Sequence, residues 1–307
     1  NKEGNAITQA KTPHLTSWME TFPHTYLNAS GTDVGLLDGF IGNSEVGHQT
    51  IGAGRIIPQP VSIIHNEIKD QNLCSNKKLK LKFNFLKETD KNLHIIGLLS
   101  DAGVHSHQEL LYTLIDCALR KNVPHVYLHL ILDGRDTPPK SAKTYLQKIE
   151  SIVKKHQNIS IASLHGRFYA MDRDNNVERT QKAFNVLTQS EKPHFSNWQQ
   201  ALEHWYSNDV TDEFIVPTLL DSQGAISSGD GIIFFNFRPD RARKLTHMLL
   251  QHQKNIGFSF FITPFSYDNE PHTIALFKKP SIANTLIDIL YKHNKSVLAV
   301  KKKKKYA

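Results

Sequence analysis

The sequence contains few cysteines and no long apolar run. Cys74 and Cys117 are its two cysteines, which do not make a disulfide framework, so a reducing cytoplasm is the expected compartment. Apolar stretches such as 231–237 and 256–262 have the length of strands and fall short of the roughly 20 residues that span a bilayer. No signal peptide is recognisable. We therefore expect neither a membrane-spanning protein nor a secreted disulfide-rich domain.

The sequence also lacks internal repeats, and its one low-complexity run is Lys301–Lys305. The chain begins with Asn1 and ends just after the lysine run, so both ends look cut. Its 307 residues are enough for about two domains. The formal net charge of +8 suggests an anionic partner, and a phosphorylated metabolite, nucleic acid and a membrane surface all fit this charge. The 17 histidines hint at acid/base or metal chemistry.

The middle of the chain alternates strand and helix patterns. The predicted strands are 94–99, 126–132, 159–164, 231–237 and 258–263. The predicted helices are 106–121, 141–155, 175–189 and 239–251. Repeated strand–helix units indicate an α/β fold with a mostly parallel, wound sheet.

The flanks of this region have a different pattern. A predicted helix at 6–21 and a glycine-dense stretch at 31–54 precede it, and a helix at 281–293 and a strand at 296–300 follow it. We expect the flanks to form one partial domain, into which the wound sheet is inserted. The expected boundaries are 1–58 and 276–307 for the partial domain, 60–270 for the insertion, and linkers near 58–60 and 264–275.

Polar loops follow four of the predicted strands and hold several arginines. Ligands of wound sheets bind outside the carboxyl ends of the strands, so one rim should gather Arg135, Arg167, Arg173, Arg238 and Arg241. Arginine forks match phosphate and carboxylate oxygens, and this density suits a small, doubly anionic ligand. Asp136 and His105 are candidate acid/base groups in the same loops. The alternatives are ordinary surface Asp–Arg pairs and a structural histidine.

Ser44 lies in a glycine-rich stretch, 39–55. Glycines at 42, 47, 52 and 54 allow a ligand to approach closely. Ser44 precedes what reads as the start of a helix, where backbone N–H groups favour an anion. A serine nucleophile needs a base, a lowered pKa or a metal to activate it. From these residues alone, a structural turn is as good an interpretation as a catalytic one.

Seven segments together resemble the cofactor-independent phosphoglycerate mutases. They follow the family's order between about residue 5 and residue 290: 42–48, 51–55, 103–107, 132–139, 169–174, 212–214 and 234–243. The resemblance implies a two-domain enzyme of the alkaline phosphatase superfamily. It also implies that 3-phosphoglycerate and 2-phosphoglycerate interconvert through a phosphoserine, with two divalent metal ions, manganese first among them.

The resemblance assigns roles residue by residue. Ser44 matches the phosphorylated serine, which also binds a metal, and Asp136 matches the general acid/base. The residues that match the substrate-binding set are His105, Arg135, Asp136, Arg167, Arg173, Arg238, Arg241 and, in the terminal lysine run, Lys305.

Some family features have no match in this sequence. The other metal-binding residues are absent, so we expect the 307-residue chain by itself to be inactive, and His165 stands where the family has serine. The expected setting is a cytoplasmic monomer with a small phosphorylated substrate and neither nucleic acid nor membrane as a partner. Another alkaline-phosphatase-like phosphotransferase, a phosphopentomutase and a noncatalytic polyanion-binding module remain alternatives. The stretch 133–139 favours the glycerate mutase, and isolated arginines among Gly, Asp and Pro argue against a polyanion surface.

Overall fold

One sheet organises the protein in the computed structural model, which describes residues 3–174, 176–189, 193–267 and 272–297. Its strands are β1 Leu93–Leu99, β2 Val126–Leu132, β3 Ile159–Gly166, β4 Thr218–Leu219, β5 Gly231–Phe234, β6 Phe260–Thr263 and β7 Ile274–Ala275. They lie in the order β4-β3-β2-β1-β5-β6-β7, and every pair is parallel except the antiparallel pair of β3 and β4. The mostly parallel wound sheet predicted from the sequence is confirmed.

Helices precede, connect and follow the strands. The α-helices of the described residues are α1 Ala6–Gln9, α2 Pro13–Thr21, α3 Ser44–Ala53, α4 Pro60–Lys69, α5 Lys77–Thr89, α6 Gln108–Arg120, α7 Ala142–Val153, α8 Arg167–Ala170, α9 Val177–Thr188, α10 Trp198–Ser207, α11 Pro239–Gln251, α12 Gln253–Ile256 and α13 Leu286–Lys292. Short 3-10 helices cover Gly31–Val34, Leu73–Ser75, Asp212–Phe214 and Ser222–Gly224. Helices α6, α7, α9 and α11 follow β1, β2, β3 and β5, within two residues of their predicted ends.

The sheet is covered on both faces. Leu86 of α5, Leu114 of α6 and Leu146 of α7 pack in the core on one face, and Leu187 of α9 and Leu245 of α11 pack in the core on the other. Strands buried on both sides read as continuous apolar runs, and β1 and β2 are buried at every position. In the described part of the chain, no helix has both the length and the apolar character for a membrane crossing.

Several predicted elements need correction. The helix expected at 6–21 is two helices, because Pro13 lacks a backbone N–H and stands at the start of α2. The C-terminal helix is shorter than expected, and β5 ends at Phe234 rather than at 237. The sequence patterns do not predict helices α4, α5 and α10. The strand expected at 296–300 falls partly outside the described residues.

A disulfide bond joins Cys74 to Cys117, with a Cα–Cα distance of 5.0 Å. Cys74 lies in the 3-10 helix Leu73–Ser75 and Cys117 in α6. No pattern in the sequence indicates this bond, since two cysteines 43 residues apart pair only if the fold brings them together. The sequence predicts no disulfide framework, and the structure adds this one disulfide bond to that description.

A chain of polar side chains crosses the buried middle of the sheet. His94 Nε2 lies 3.2 Å from Asp230 Oδ2, and His94 Nδ1 lies 3.0 Å from His129 Nε2. His129 Nδ1 lies 2.7 Å from Ser163 Oγ, which lies 2.7 Å from His165 Nε2. All five side chains are buried. Such a chain is stabilising only while each member keeps its partner.

Candidate active site

Arg167 is the centre of the arginine rim. It follows the last residue of β3, and its side chain is 2% exposed. Its Nη1 lies 2.5 Å from Asp133 Oδ1 and 2.6 Å from Asp136 Oδ2. The Ser100 hydroxyl, just after β1, donates a hydrogen bond of 2.7 Å to the other oxygen of Asp133. The ends of β1, β2 and β3 therefore meet in one hydrogen-bonded group, as the parallel sheet predicts.

The loop after β2 is folded around the Asp133 carboxylate. Asp133 Oδ1 accepts hydrogen bonds from the backbone N–H groups of Arg135 (3.2 Å) and Asp136 (3.0 Å). Gly134 has a φ of +63°, and a Cβ there would lie 2.8 Å from the Glu213 backbone nitrogen, so glycine is required. This turn fixes the directions in which Arg135 and Asp136 leave the sheet.

The other arginines differ in their carboxylate partners. Arg135 Nη1 lies 3.1 Å from Glu213 Oε1, and Arg238 Nε lies 3.0 Å from Asp240 Oδ1. Within the described residues, Arg173 and Arg241 have no carboxylate at ion-pair distance. Burial lowers the pKa of Arg241, and the positive charges of Arg167, Arg173 and Arg135 lower it further. The rim therefore carries mutually repelling positive charge, which an anion would relieve.

His105 lies inside this positive field. Burial, followed by the charges of Arg167, Arg238, Arg241 and Arg173, lowers its pKa to about 2. Its ring is therefore neutral at physiological pH, and its 3.5 Å approach to Asp240 Oδ1 is not an ion pair. Nδ1 of His105 is buried without a hydrogen bond among the described residues.

The backbone of His105 ties two loops of the rim together. Its carbonyl oxygen accepts hydrogen bonds from the N–H groups of Phe237 (2.9 Å) and Arg238 (3.3 Å). The loop after β1 and the loop after β5 are thereby held side by side. The structure thus brings together His105 and the five arginines that the sequence assigned to one rim.

Ser44 is the first residue of α3 and is exposed. The helix start predicted from the sequence is confirmed, but its N–H groups are not all free for an anion. Asn43 Oδ1 accepts hydrogen bonds from the N–H groups of Glu45 (2.9 Å) and Val46 (3.3 Å). The positive end of the helix dipole still favours negative charge at Ser44.

Among the described residues, His48 is the one side chain at hydrogen-bond distance from the Ser44 hydroxyl. Its Nδ1 lies 2.6 Å from the Ser44 carbonyl oxygen and 3.3 Å from Ser44 Oγ. A carbonyl oxygen only accepts, so Nδ1 must carry the hydrogen in this arrangement. His48 is therefore not placed to remove the proton from Ser44.

The Ser44 segment, residues 39–55, contacts the rim on either side of the serine. Gly103, with a φ of +67°, lies against the Phe40 ring, and a Cβ on Gly103 would come within 2.0 Å of Phe40 Cε1. On the other side of Ser44, Glu45 Oε2 lies 3.6 Å from Arg238 Nη2. The first turn of α3 is therefore adjacent to the loops after β1 and β5.

Two rim residues were not predicted as site residues. Asp133 forms an ion pair with Arg167, and Glu213 forms one with Arg135. The available signals were their positions, since Asp133 directly follows β2 and Glu213 lies in one of the segments that carry the family resemblance. Lys305 lies outside the described residues.

The described residues do not form a metal site. They contain no group of three or more His, Cys, Asp or Glu side chains that could hold a metal ion. Ser44 contributes a single hydroxyl, whereas divalent ions in proteins need several oxygen, nitrogen or sulfur ligands. The Ser44 segment by itself therefore does not fit the two ions that the family resemblance implies.

Comparisons with known proteins agree on one family. The profile described as "BPG-independent PGAM N-terminus" matches residues 64–276. The chain is 42% identical over 315 residues to a 2,3-bisphosphoglycerate-independent phosphoglycerate mutase of Legionella pneumophila (strain Corby), covering 100% of this chain and 61% of that protein. It is 41% identical over 318 residues to the enzyme of the same description from Clostridium novyi (strain NT), covering 100% of this chain and 62% of that protein.

A solved structure has the same fold. It is the phosphoglycerate mutase of Leishmania mexicana, crystallised at low cobalt concentration, with a TM-score of 0.82 and 28% identity. The match covers 95% of this chain and 57% of that one. The chain thus spans about 61% of the length of the first curated relative.

Proposed function

The chain belongs to the family of 2,3-bisphosphoglycerate-independent phosphoglycerate mutases, and we propose that the protein interconverts 3-phosphoglycerate and 2-phosphoglycerate through a phosphoserine on Ser44. The reaction is a step of glycolysis and gluconeogenesis. The observation that carries the proposal is the rim itself, where five arginines and a neutral His105 surround the ends of four parallel strands. A small ligand with both a phosphate and a carboxylate is complementary to this charge.

The reaction consists of two transfers in opposite directions. In the first, Ser44 Oγ bonds to phosphorus, the bond from phosphorus to glycerate O3 breaks, and O3 receives the proton that the serine loses. In the second, glycerate O2 attacks the same phosphorus, loses its proton, and releases Ser44 Oγ as the hydroxyl. The substrate and product differ only in the oxygen that carries the phosphoryl group.

Asp136 is the proposed acid/base group for the glycerate hydroxyls. Its carboxylate is paired with Arg167 on one side and is 25% exposed, so an oxygen remains open to the rim. The Asp133-centred turn holds its backbone in place. A positioned carboxylate of this kind accepts a proton from one hydroxyl and returns it to another.

The arginines are the proposed binding groups for phosphate and carboxylate. Arg173 and Arg241 have the least compensation by carboxylates, so they are the groups that gain most from an anion. His105, neutral in the positive field, is suited to hydrogen-bond an uncharged glycerate hydroxyl. Binding glycerate through both half-reactions requires exclusion of water, which otherwise hydrolyses the phosphoserine.

Two divalent metal ions, manganese most of all, belong to the proposed holoenzyme, and the Leishmania mexicana mutase was crystallised with cobalt at low concentration. They would supply the activation of Ser44 that His48 does not provide. The described residues supply one candidate ligand, Ser44, so no step is assigned to the ions.

The domain organisation is part of the same proposal. The flanks 1–58 and 276–307 would form the serine-bearing domain, and 60–270 the substrate-binding domain, in a cytoplasmic monomer. The contact between Arg55 Nη2 and the Ala283 carbonyl, 2.8 Å long, joins the two flanks. Closure of the two domains around the substrate would exclude water. Small-angle scattering of the full-length enzyme would contradict closure if its radius of gyration were the same with and without substrate.

The test is a coupled assay of 2-phosphoglycerate formation on the full-length protein, with manganese and without 2,3-bisphosphoglycerate. We expect activity that Ser44→Ala abolishes, whereas Ser62→Ala, on α4, retains it. Activity that persists in Ser44→Ala would reject the phosphoserine. A folded, metal-loaded protein without mutase activity would favour another phosphotransferase of the alkaline phosphatase superfamily.

A further inference from the structure

The two cysteines of the Cys74–Cys117 disulfide differ in their exposure to solvent. Cys117 lies inside α6, is 2% exposed and belongs to the hydrophobic core. Cys74 is only half-buried and lies in a short 3-10 helix at the surface. A reagent from solvent therefore reaches the Cys74 sulfur first.

A surface cavity opens beside Cys74. It has a volume of about 330 Å³, and Cys74 is one of its lining residues, whereas Cys117 is not. Ile68 and Leu73 form apolar parts of the wall, and Gln71 and Thr113 contribute polar parts. This volume lies at the small end of ligand-binding sites in proteins.

The cavity wall carries both signs of charge. Arg120 Nη2 lies 2.8 Å from Asp116 Oδ2, and both residues line the cavity. Their side chains are 65% and 47% exposed, so each can reorient toward a ligand. A small peptide thiol has a carboxylate for the arginine, an ammonium group for the aspartate, and a sulfur for Cys74.

We propose that Cys74 is a thiol-exchange site for a small zwitterionic thiol bound in this cavity. The thiolate of the ligand attacks Cys74 Sγ, a mixed disulfide forms, and the Cys74–Cys117 bond breaks. Cys117 leaves as a thiolate and takes a proton from water. A second ligand thiolate attacks the ligand sulfur of the mixed disulfide, which gives the oxidised ligand and two protein thiols.

The exchange acts on an element that also serves the rim. The disulfide ties the Leu73–Ser75 helix to α6, and α6 begins directly after the loop that holds His105. Opening the bond removes the covalent link between this segment and α6 and leaves only their packing, whereas closing it restores the link. The chemistry at Cys74 does not depend on the mutase reaction, so the two are tested separately.

The first experiment follows exchange in the unmodified protein. The oxidised protein is mixed with reduced glutathione under native conditions, stopped with acid, freed of glutathione, alkylated with iodoacetamide in denaturant, and mapped by peptide mass spectrometry. We expect a transient glutathione adduct on Cys74, while Cys117 is recovered as the alkylated thiol. The proposal is overturned if the first adduct is on Cys117, if the bond reacts only in denaturant, or if both thiols are already free in protein prepared under air.

Variants separate recognition by the cavity from simple exposure. Cys117→Ser should take one glutathione from oxidised glutathione, and the matched Cys74→Ser should react at least about tenfold more slowly because Cys117 is buried. Arg120→Ala should slow exchange with glutathione severalfold but leave exchange with uncharged 2-mercaptoethanol unchanged. Equal effects on both reagents would remove the ligand site from the proposal. If a cysteine variant fails to fold, the experiment on the unmodified protein decides.

Discussion

The arginine rim and the Ser44 segment differ in how completely this chain holds them. Arg167 is buried between two carboxylates, and the strands that lead to the rim are buried along their length. Ser44 is exposed, and α1, α2 and α13 contain no buried residue. Phe40 and Glu45 provide the contacts that connect the first turn of α3 with the rim.

This difference between the rim and the Ser44 segment separates the residues that bind the substrate from the residue that reacts with it. The residues of the rim lie between β1 and α11, and the sheet holds them in place through core packing and buried ion pairs. The serine needs activation that the described residues do not supply. The chain should therefore bind phosphoglycerate without interconverting it, and changes at the two regions should have different consequences for stability.

The largest effect is expected at Arg167. Arg167→Ala leaves the Asp133 carboxylate buried without its positive partner, and breaking a buried pair in this way costs about 3–5 kcal/mol of the free energy of unfolding. Urea denaturation measures the loss. We also expect Arg167→Ala to abolish the binding of 3-phosphoglycerate, as measured by calorimetry.

Arg173→Ala is the matched control on the same rim. Arg173 is exposed, so its loss should change the free energy of unfolding by less than about 0.5 kcal/mol while weakening phosphoglycerate binding. If Arg167→Ala were as stable as Arg173→Ala, the ion pairs of Arg167 would not be what holds the rim together.

Acid should affect the rim and the sheet before it affects the Ser44 segment. Burial lowers the pKa of His165 to about 3, and burial with the neighbouring arginines lowers that of His105 to about 2, both from 6.5. Between pH 6.5 and those values the unfolded chain binds more protons than the folded one. Stability therefore falls as the pH drops below 6.5, by at most about 1.4 kcal/mol per pH unit for each of these histidines.

The check is the free energy of unfolding measured at pH 7, 6 and 5. His165→Ser should reduce the slope of stability against pH, because it removes one of the histidines whose pKa is lowered by burial. A slope unchanged by this substitution would mean that His165 binds protons equally in the folded and the unfolded protein.

A smaller effect is expected from reversing the direction of the hydrogen bonds that run from Asp230 through His94, His129 and Ser163 to His165. Burial raises the pKa of Asp230, but the hydrogen bond and charge of His94 and the backbone hydrogen bonds from Asn92 and Ser227 together outweigh it. The net pKa is lowered, so the Asp230 carboxylate accepts. If each donor then points toward Asp230, His129 and His165 carry their hydrogens on Nε2. Asp230→Asn should move them to Nδ1 and cost about 1–2 kcal/mol.

Nitrogen NMR of the histidine rings distinguishes the two tautomers. The matched variant is Asp221→Asn. Asp221 takes no part in this series of hydrogen bonds, so His129 and His165 should keep their hydrogens on Nε2. An Nδ1 hydrogen on His129 in the unmodified protein would contradict the proposed direction of the hydrogen bonds.

The sheet and the rim could be predicted because their signals are local. Buried strands show as apolar runs, and the loops after them show as charged clusters, so the predicted bounds of β2 and α11 agree with the structure to the residue. Other features depend on contacts between distant segments. The pairing of Cys74 with Cys117, and of His94 with Asp230 136 residues away, follows from tertiary packing. Pro13 is a visible helix-breaking signal in the sequence, but the prediction of one helix across it gives this signal too little weight, since the structure has two helices there.

The smallest effect is expected at Ser44 itself. The hydroxyl is exposed, and its 3.3 Å contact with His48 lies on the surface, so Ser44→Ala should change the free energy of unfolding by less than about 0.5 kcal/mol. Binding of 3-phosphoglycerate to this chain should also be unchanged, because the rim supplies the binding groups. Calorimetry beside urea denaturation tests both. If Ser44→Ala weakened binding as much as Arg173→Ala, the serine would already contact the bound ligand, and binding and reaction would not be separable in this chain.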